Sequence, residues 1–189
     1  MAFQVSADFL AGKSTGYEPQ RQSNWGFQAT IPGGSTGAEF ISLAVEGASL
    51  PKLGLQPLEL HYFNEVRYVA GKAVYEPVPL RLKDFVDVGV AAACVAWQQK
   101  TYDPNTGQIF FASKYKTEGA LLLYGPDGVA SRRWTLVGCW LMDFDPGALD
   151  MTSNEKVVME CTLRYDKALP EFAASGPAGG QDYSGTTFA

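Results

Sequence analysis

The sequence is poor in the residues that build metal centres and disulfide frameworks. It has three cysteines (Cys94, Cys139 and Cys161) and one histidine, His61, in 189 residues. Three scattered cysteines do not make a disulfide framework or a zinc motif, and a single histidine cannot form a His-rich site. We therefore predict no metal ion. Cys94 and Cys161 fall at apolar positions and are expected to be buried thiols, while a disulfide between subunits stays open for all three cysteines.

Positive charge is also in short supply, and long apolar runs are missing. Fifteen lysines and arginines face twenty aspartates and glutamates, which gives a net charge of −5. This net negative charge argues against a protein that binds nucleic acid by neutralising its phosphates. No stretch approaches the roughly 18 apolar residues of a membrane span, and no signal-peptide pattern opens the chain. We expect a soluble protein that is made inside the cell and has no membrane partner.

Motifs that carry catalysis or bind cofactors are lacking as well. Asp143–Gly147 with Asp150 lacks the residue order of a calcium loop, and a turn between strands is the better interpretation. The glycine pairs Gly33–Gly34 and Gly125–Gly128 lack the lysine and the helix of a phosphate loop. His61 has no Ser, Cys or carboxylate partner at a recognised spacing. We predict no catalytic residue, no cofactor and no enzymatic activity.

What the sequence does contain is alternation of apolar and polar residues with a period of two. The strongest example is a predicted strand over 156–166. Its apolar face carries Val157, Met159, Cys161, Leu163 and Tyr165, and its other face carries Lys156, Val158, Glu160, Thr162, Arg164 and Asp166. Similar alternation predicts strands over 41–46, 58–63 and 78–83, and a pair over 118–124 and 132–142 joined by the turn Gly125–Gly128.

One segment, 87–101, is rich in alanine and is predicted to be a helix. Its apolar residues form two stripes, Val88/Ala91/Ala92/Val95 and Val90/Cys94/Trp97, which suggests cover on two sides. The predicted fold class is mostly β (α+β), a β-sandwich or barrel with one helix and extended N- and C-terminal arms. We assign residues 1–38 to an arm with at most one short strand near Trp25–Ile31. Residues 39–170 form the β domain, and 171–189 form a tail rich in glycine, alanine and serine.

The sequence is typical of a structural subunit of a larger assembly, because it has long strands, arms at both ends and no catalytic motif. In the order and residue content of its motifs, the sequence resembles the tail tube proteins of contractile-tailed bacteriophages, which are related to the tube proteins of contractile injection systems. The resemblance covers about residues 39–167 and rests on five stretches, in this order: Val45–Pro51, Gly71–Val86, a helix ending near Trp97 followed by Tyr102–Gly107, Gly119–Trp140 with its "W-x-L-x-x-x-W" strand, and Leu149–Asp166.

The resemblance implies a structural virion protein. Members of that family form hexameric rings that stack into a tube inside a contractile sheath, and the tube conducts the genome into the host. The implied partners are other copies of the chain, the sheath, baseplate and tail terminator proteins, and the tape measure protein and DNA in the lumen. The implied location is the tail tube of a virion made in the bacterial cytoplasm. Candidate lumen-facing residues are those on the polar face of the last strand: Lys156, Glu160, Thr162 and Arg164.

Two alternatives remain open from the sequence. The first is the inner tube of a bacteriocin or of a type VI-like contractile injection system, which shares the same barrel and differs in its cargo. The second is a small enzyme or a carbohydrate-binding β-sandwich. That alternative predicts a pocket with perturbed ionisable groups and aromatic residues clustered at one end of a sheet.

Overall fold

The computed structural model describes residues 20–30, 37–86, 89–152 and 154–172. Strands outnumber helices throughout this part of the chain. The elements in chain order are β1 (Trp25–Ala29), α1 (Gly37–Ala44), β2 (Val45–Ala48), β3 (Leu53–Tyr62), β4 (Glu65–Tyr75), β5 (Val78–Lys83), α2 (Val90–Thr101), β6 (Tyr102–Asp103), β7 (Gln108–Ile109), α3 (Ala112–Tyr115), β8 (Thr117–Tyr124), β9 (Ala130–Asp145), β10 (Val158–Arg164) and β11 (Lys167–Phe172).

Seven strands form one antiparallel sheet in the order β1-β8-β9-β10-β5-β2, with β11 paired to β9. The long strand β9 joins its two halves. The first half of β9 lies between β8 and β11, and the second half pairs with β10. The described strands form an open path with β1 and β2 at its ends and do not close a barrel. The predicted class, a mostly β fold, is confirmed.

A bulge at Gly138 lets β9 direct side chains towards the core both before and after it. Trp134 and Leu136 pack on the core before the bulge, whereas Cys139 and Leu141 do so after it. The side-chain parity therefore changes between the two halves, as one extra residue in a strand requires. Gly138 has φ +67°, and a Cβ on it would collide with the Asp166 carboxylate. Only glycine meets both conditions without strain.

The core lies between this sheet and the helices α1 and α2. Strand β5 contributes Val78, Leu80 and Leu82, and α2 contributes Trp97, all at most 1% exposed. The predicted helix is confirmed, although it begins at Val90 with Gly89 at its N-cap. Asp87 and Val88, which begin the predicted segment, lie outside the described residues. Only one of its predicted stripes is covered within the subunit, because Val90, Cys94 and Trp97 are buried while Ala92 and Val95 are exposed.

Two expectations about secondary structure were wrong. The segment 41–46 is not one strand, because α1 runs through Ala44 and the strand β2 starts only at Val45. Ile41 and Ala44 are buried and Leu43 is 75% exposed, which is helical rather than alternating burial. The fold consequently has more than the one predicted helix.

The last predicted strand is shorter than expected. It covers 158–164 rather than 156–166. Beyond Arg164 the chain leaves β10: the Asp166 N–H donates to the Val137 carbonyl, and the chain continues as β11. Its predicted apolar face is confirmed, with Met159, Cys161 and Leu163 buried.

The strand near the N-terminus belongs to the main sheet. β1 pairs with β8 in the register Phe27↔Leu121, and Phe27 is 1% exposed. This strand and α1 begin within the predicted arm, residues 1–38. The division into arm, domain and tail stays a prediction, and residues 173–189 of the tail lie outside the described residues.

Candidate functional site

The feature that stands out from the body is the hairpin of β3 and β4. These strands pair with each other, and no other described element packs extensively against them. The hairpin is fastened at its base, where the Glu76 N–H donates to the Lys52 carbonyl and the Lys52 ammonium lies 2.9 Å from the Glu76 carboxylate. At the same end, Tyr75 packs against the core and its ring centroid lies 5.7 Å from that of Tyr165, whereas the rest of the two strands pairs mainly within the hairpin.

A bulge in β4 shifts the pairing within this hairpin. The register places Leu55 opposite Ala73 and Pro57 opposite Ala70, so Gln56 faces two residues of β4, Gly71 and Lys72. Because the extra residue lies in β4, β3 alternates without a break: Leu58, Leu60 and Tyr62 share one face, and Leu53 and Leu55 lie on the other. At the bulge the backbones approach closely, since a Cβ on Gly71 would lie 2.6 Å from the Gln56 carbonyl oxygen. Glycine at position 71 thus permits the arrangement.

All five of these apolar side chains of β3 are exposed, by 48% to 62%. Alternation over 58–63 was predicted correctly, but its apolar members, Leu58, Leu60 and Tyr62, pack on no described part of the core. Glu59 and His61 lie on the opposite face, with their Oε2 and Nε2 atoms 3.9 Å apart. At the tip, Phe63 is 91% exposed and meets Tyr62 edge to face at 4.9 Å between ring centroids. We call the exposed row of Leu58, Leu60 and Tyr62 the apolar face of the hairpin.

A second surface is the outer face of β9, β10 and β5, on the side away from the core. Here Glu160 lies between Arg81 and Asp145, and its Oε1 is 3.6 Å from the Arg81 Nε. Thr162 lies between Pro79 and Asp143 in the same register. Antiparallel partners share a face of the sheet, so these side chains form adjacent rows.

The structure brings three of the four predicted lumen-facing residues together on this outer face. Glu160, Thr162 and Arg164 alternate along β10, and Arg164 lies opposite Trp140. Lys156 precedes the strand and forms an ion pair with Glu46 of β2. The hydrogen bond from Lys156, aided by nearby positive charge, lowers the pKa of Glu46 below its usual value. Lys156 therefore lies at the border of the face rather than on the strand.

Sequence reasoning missed the neighbours that balance this face. Arg81 and Lys83 are outward residues of β5, and Asp143 and Asp145 are outward residues of β9. For β5 the sequence did carry a signal, because Arg81 and Lys83 are the polar members of its alternation. The strand pairing that places them beside β10 is not visible in the sequence. With Arg164, Lys156, Glu46 and Glu160, the outer face carries four positive and four negative side chains. We call this surface the mixed-charge face.

The three cysteines lie inside the core. Burial raises the pKa of Cys139 to about 12, so its thiol is neutral under ordinary conditions. A hydrogen bond with Cys94, together with burial, raises the pKa of Cys161 well above its usual value. The expectation of buried thiols at Cys94 and Cys161 is confirmed. A disulfide to a neighbouring subunit would require the core to open.

The described residues contain neither a candidate metal site nor a candidate membrane-spanning helix. Among them, no group of three or more His, Cys, Asp or Glu side chains is arranged to hold a metal ion. Across the same ranges, no helix has the length and apolar character to cross a membrane. The acidic loop considered for calcium instead forms local turns, in which the Asp150 carboxylate accepts the Thr152 N–H at 2.9 Å. That contact lowers the Asp150 pKa.

Comparison with solved structures identifies relatives of this fold. No known family profile and no curated protein matches the sequence. A chain of the extended sheath–tube complex of an extracellular contractile injection system (PVC) has a TM-score of 0.64 at 16% identity, covering 85% of this chain and 99% of that one. A chain of the tube-terminating cap of the anti-feeding prophage (AFP) has a TM-score of 0.63 at 16% identity, covering 82% and 93%. A chain of the AFP baseplate has a TM-score of 0.56 at 13% identity, covering 82% and 97%.

The protein therefore has the fold of tube components of contractile injection systems. The resemblance to tail tube proteins that the sequence suggested is confirmed at this level.

Proposed function

We propose that this protein is a structural subunit of the inner tube of a contractile, tail-like machine. Its copies form rings, hexameric by the sequence resemblance, and the rings stack around a channel. The observation that carries the proposal is the uncovered apolar face of the hairpin (Leu58, Leu60 and Tyr62), on a fold used by tube components. No catalytic role is assigned.

The hairpin is better suited to an assembled subunit than to an isolated one. A lone two-stranded hairpin is marginally stable in water. Soluble monomers also seldom expose large contiguous apolar patches, and such patches mark interaction sites. A second copy of the chain supplies the missing cover, since the tube fold places identical subunits side by side and end to end. Contacts of this head-to-tail type close into rings or extend into a stack.

We further propose that the mixed-charge face lines the channel, with Glu160, Thr162 and Arg164 directed to the lumen and Lys156 at the border. Its four positive and four negative side chains nearly cancel. A strongly basic wall would hold DNA through its phosphates, whereas a balanced wall lets a charged polymer slide. Polar outward residues on a long strand also fit a water-filled channel.

Two machines fit this subunit. In the first, the tube belongs to a phage tail, lies in the virion and conducts the genome past a tape measure protein. In the second, it belongs to a contractile injection system with another cargo, and the fold shared with the compared PVC and AFP structures supports both candidates equally. Both include sheath, terminator and baseplate partners, which we propose for this chain.

Electron microscopy of the purified protein in negative stain tests the assembly. We expect rings or tubes without any added cofactor. A monomer near 20.5 kDa by light scattering, at high concentration and at every salt concentration, would contradict the proposal. Native particles that contain the chain separate the two machines, because a phage tail is attached to a DNA-filled head and an injection particle has none.

A further inference from the structure

A cluster of exposed apolar side chains lies at one end of the half of the main sheet that β9, β10, β5 and β2 form. Phe85 and Val86 follow β5, and Leu149 and Met151 lie in the loop between β9 and β10. Val86 and Met151 are fully exposed, Leu149 is 85% exposed and Phe85 is partly exposed. We call these four residues the loop cluster. Apolar side chains gathered on a surface in this way mark a site of interaction.

Contacts at the start of β10 bring the two segments of the loop cluster to the same end of the sheet. The Asp84 N–H donates to the Val157 carbonyl at 3.3 Å. Gly147 lies so close to the same strand that a Cβ on it would collide with the Val158 carbonyl oxygen. Because β10 lies between β5 and β9, the two segments emerge on either side of its first residues.

The hairpin of β3 and β4 leaves this half of the sheet from the opposite end. It connects Ala48, the last residue of β2, to Val78, the first residue of β5, whereas the loop cluster lies beyond Lys83, the last residue of β5. The six residues of β5 separate the two ends by about 17 Å. In a head-to-tail stack one end of a copy faces the other end of the next, so apolar surfaces at opposite ends can meet.

The hairpin carries side chains that complement the loop cluster. Its apolar face also includes Arg67, which lies opposite Leu60, is 72% exposed and is 4.0 Å from the Glu65 carboxylate. Two exposed acidic residues adjoin the loop cluster, since Asp84 precedes its first segment and Asp150 lies within its second. Apolar contact and an ion pair with this guanidinium therefore match the hairpin to the opposite end of another copy.

Phe63, at the tip of the hairpin, adopts a conformation that is unfavourable for a large side chain. Its φ is +51°, in the left-handed region that glycine and asparagine adopt most readily. The ring is nevertheless 91% exposed, so the described core gains little from it. Backbone outliers of this kind cluster at functional sites. An exposed ring held at the tip suits a contact with a second copy.

We propose that the loop cluster is the docking site for the hairpin tip of a second copy in the next ring. This inference rests on the proposed function and adds to it the surface that receives the hairpin. Tyr62 and Phe63 of one copy pack on Leu149 and Met151 of the next. Each ring thus presents hairpin tips at one end and loop clusters at the other, and the stack grows in one polarity.

Two variants of the full-length protein separate the docking side from the receiving side. Phe63→Asn removes the ring and suits the left-handed φ, while Leu149→Ser/Met151→Ser removes two apolar side chains of the loop cluster. Neighbouring exposed residues provide the matched controls, Asn64→Ala at the tip and Ala148→Ser in the loop. Because Phe63, Leu149 and Met151 are almost fully exposed, thermal unfolding of the dissociated variants should match the parent.

Sedimentation and electron microscopy then measure stacking. We expect the parent and both controls to form tubes. Each test variant should form rings, yet its critical concentration for stacking should rise about tenfold or more, because a large apolar contact is lost. Rings of the two test variants, assembled separately and then mixed, should form pairs of rings and no longer stacks. The intact tips of one variant meet the intact loop clusters of the other, and the remaining ends have no partner.

Three outcomes would overturn the inference while leaving the proposed function in place. The first is normal stacking of either test variant. The second is a mixture that contains single rings alone. The third is a test variant that folds but forms no rings, which would place the changed side chains in contacts within a ring. A parent protein that forms neither rings nor tubes would instead contradict the proposed function, and this inference with it.

Discussion

Truncating the apolar face of the hairpin should weaken assembly without unfolding the subunit. In the double variant Leu58→Ala/Leu60→Ala, two side chains that are 55% and 48% exposed in the subunit lose most of their apolar surface. Fully burying a leucine stabilises by about 1.5–3 kcal/mol. About half of that remains to be gained on assembly, which is about 1 kcal/mol for each leucine and about 2 kcal/mol for the pair.

This loss should raise the critical concentration for assembly about 30-fold, since each 1.4 kcal/mol is a factor of ten. Sedimentation and light scattering over a concentration series measure it. The matched control is Glu59→Ala/His61→Ala, which shortens two neighbouring side chains on the opposite face of the hairpin. We expect the control to change the critical concentration by less than about threefold, because exposed charged pairs contribute little.

Two results would refute this reasoning. If both double variants shift the critical concentration equally, the apolar face is not the part of the hairpin that binds. If neither shifts it, the hairpin does not join subunits. Thermal unfolding of the dissociated subunit serves as a check on the fold. It should hardly change, because the hairpin makes no extensive contact with the core.

Three further predictions concern the channel, pH and the backbone. Thr162→Lys should leave assembly intact and slow the passage of DNA, most at low salt where added charge is least screened; normal passage would place the mixed-charge face outside the channel. Because burial raises the Cys139 pKa from 9.0 to about 12, the unfolded chain loses this proton first, so the free energy of unfolding should fall between pH 9 and 12. Denaturant titrations of Cys139→Ala should show a shallower fall. Gly138→Ala should cost about 2 kcal/mol or more, against about 1 kcal/mol for Gly128→Ala, because both have positive φ but only Gly138 lacks room for a Cβ. Equal losses in chemical denaturation would disprove the steric argument.

Local pattern by itself determined the strands that build the core. Alternation located β5, β8, β9 and β10, because a half-buried strand must place its apolar residues two apart. The same rule named Glu160, Thr162 and Arg164 as sharing one face. It failed for 41–46, where Ile41 and Ala44 fit a helical spacing as well as the segment fits alternation. A window of six residues contains too few turns to separate the two periods.

Only the tertiary structure decided what covers each face. The sequence places Leu58, Leu60 and Tyr62 together, yet it cannot say that they meet no core, since that depends on where the hairpin leaves the sheet. It also cannot place Arg81 and Asp145 beside Glu160, because strand pairing joins residues far apart in the chain. Alternation is a property of neighbouring residues, whereas burial and charge balance depend on contacts between distant ones.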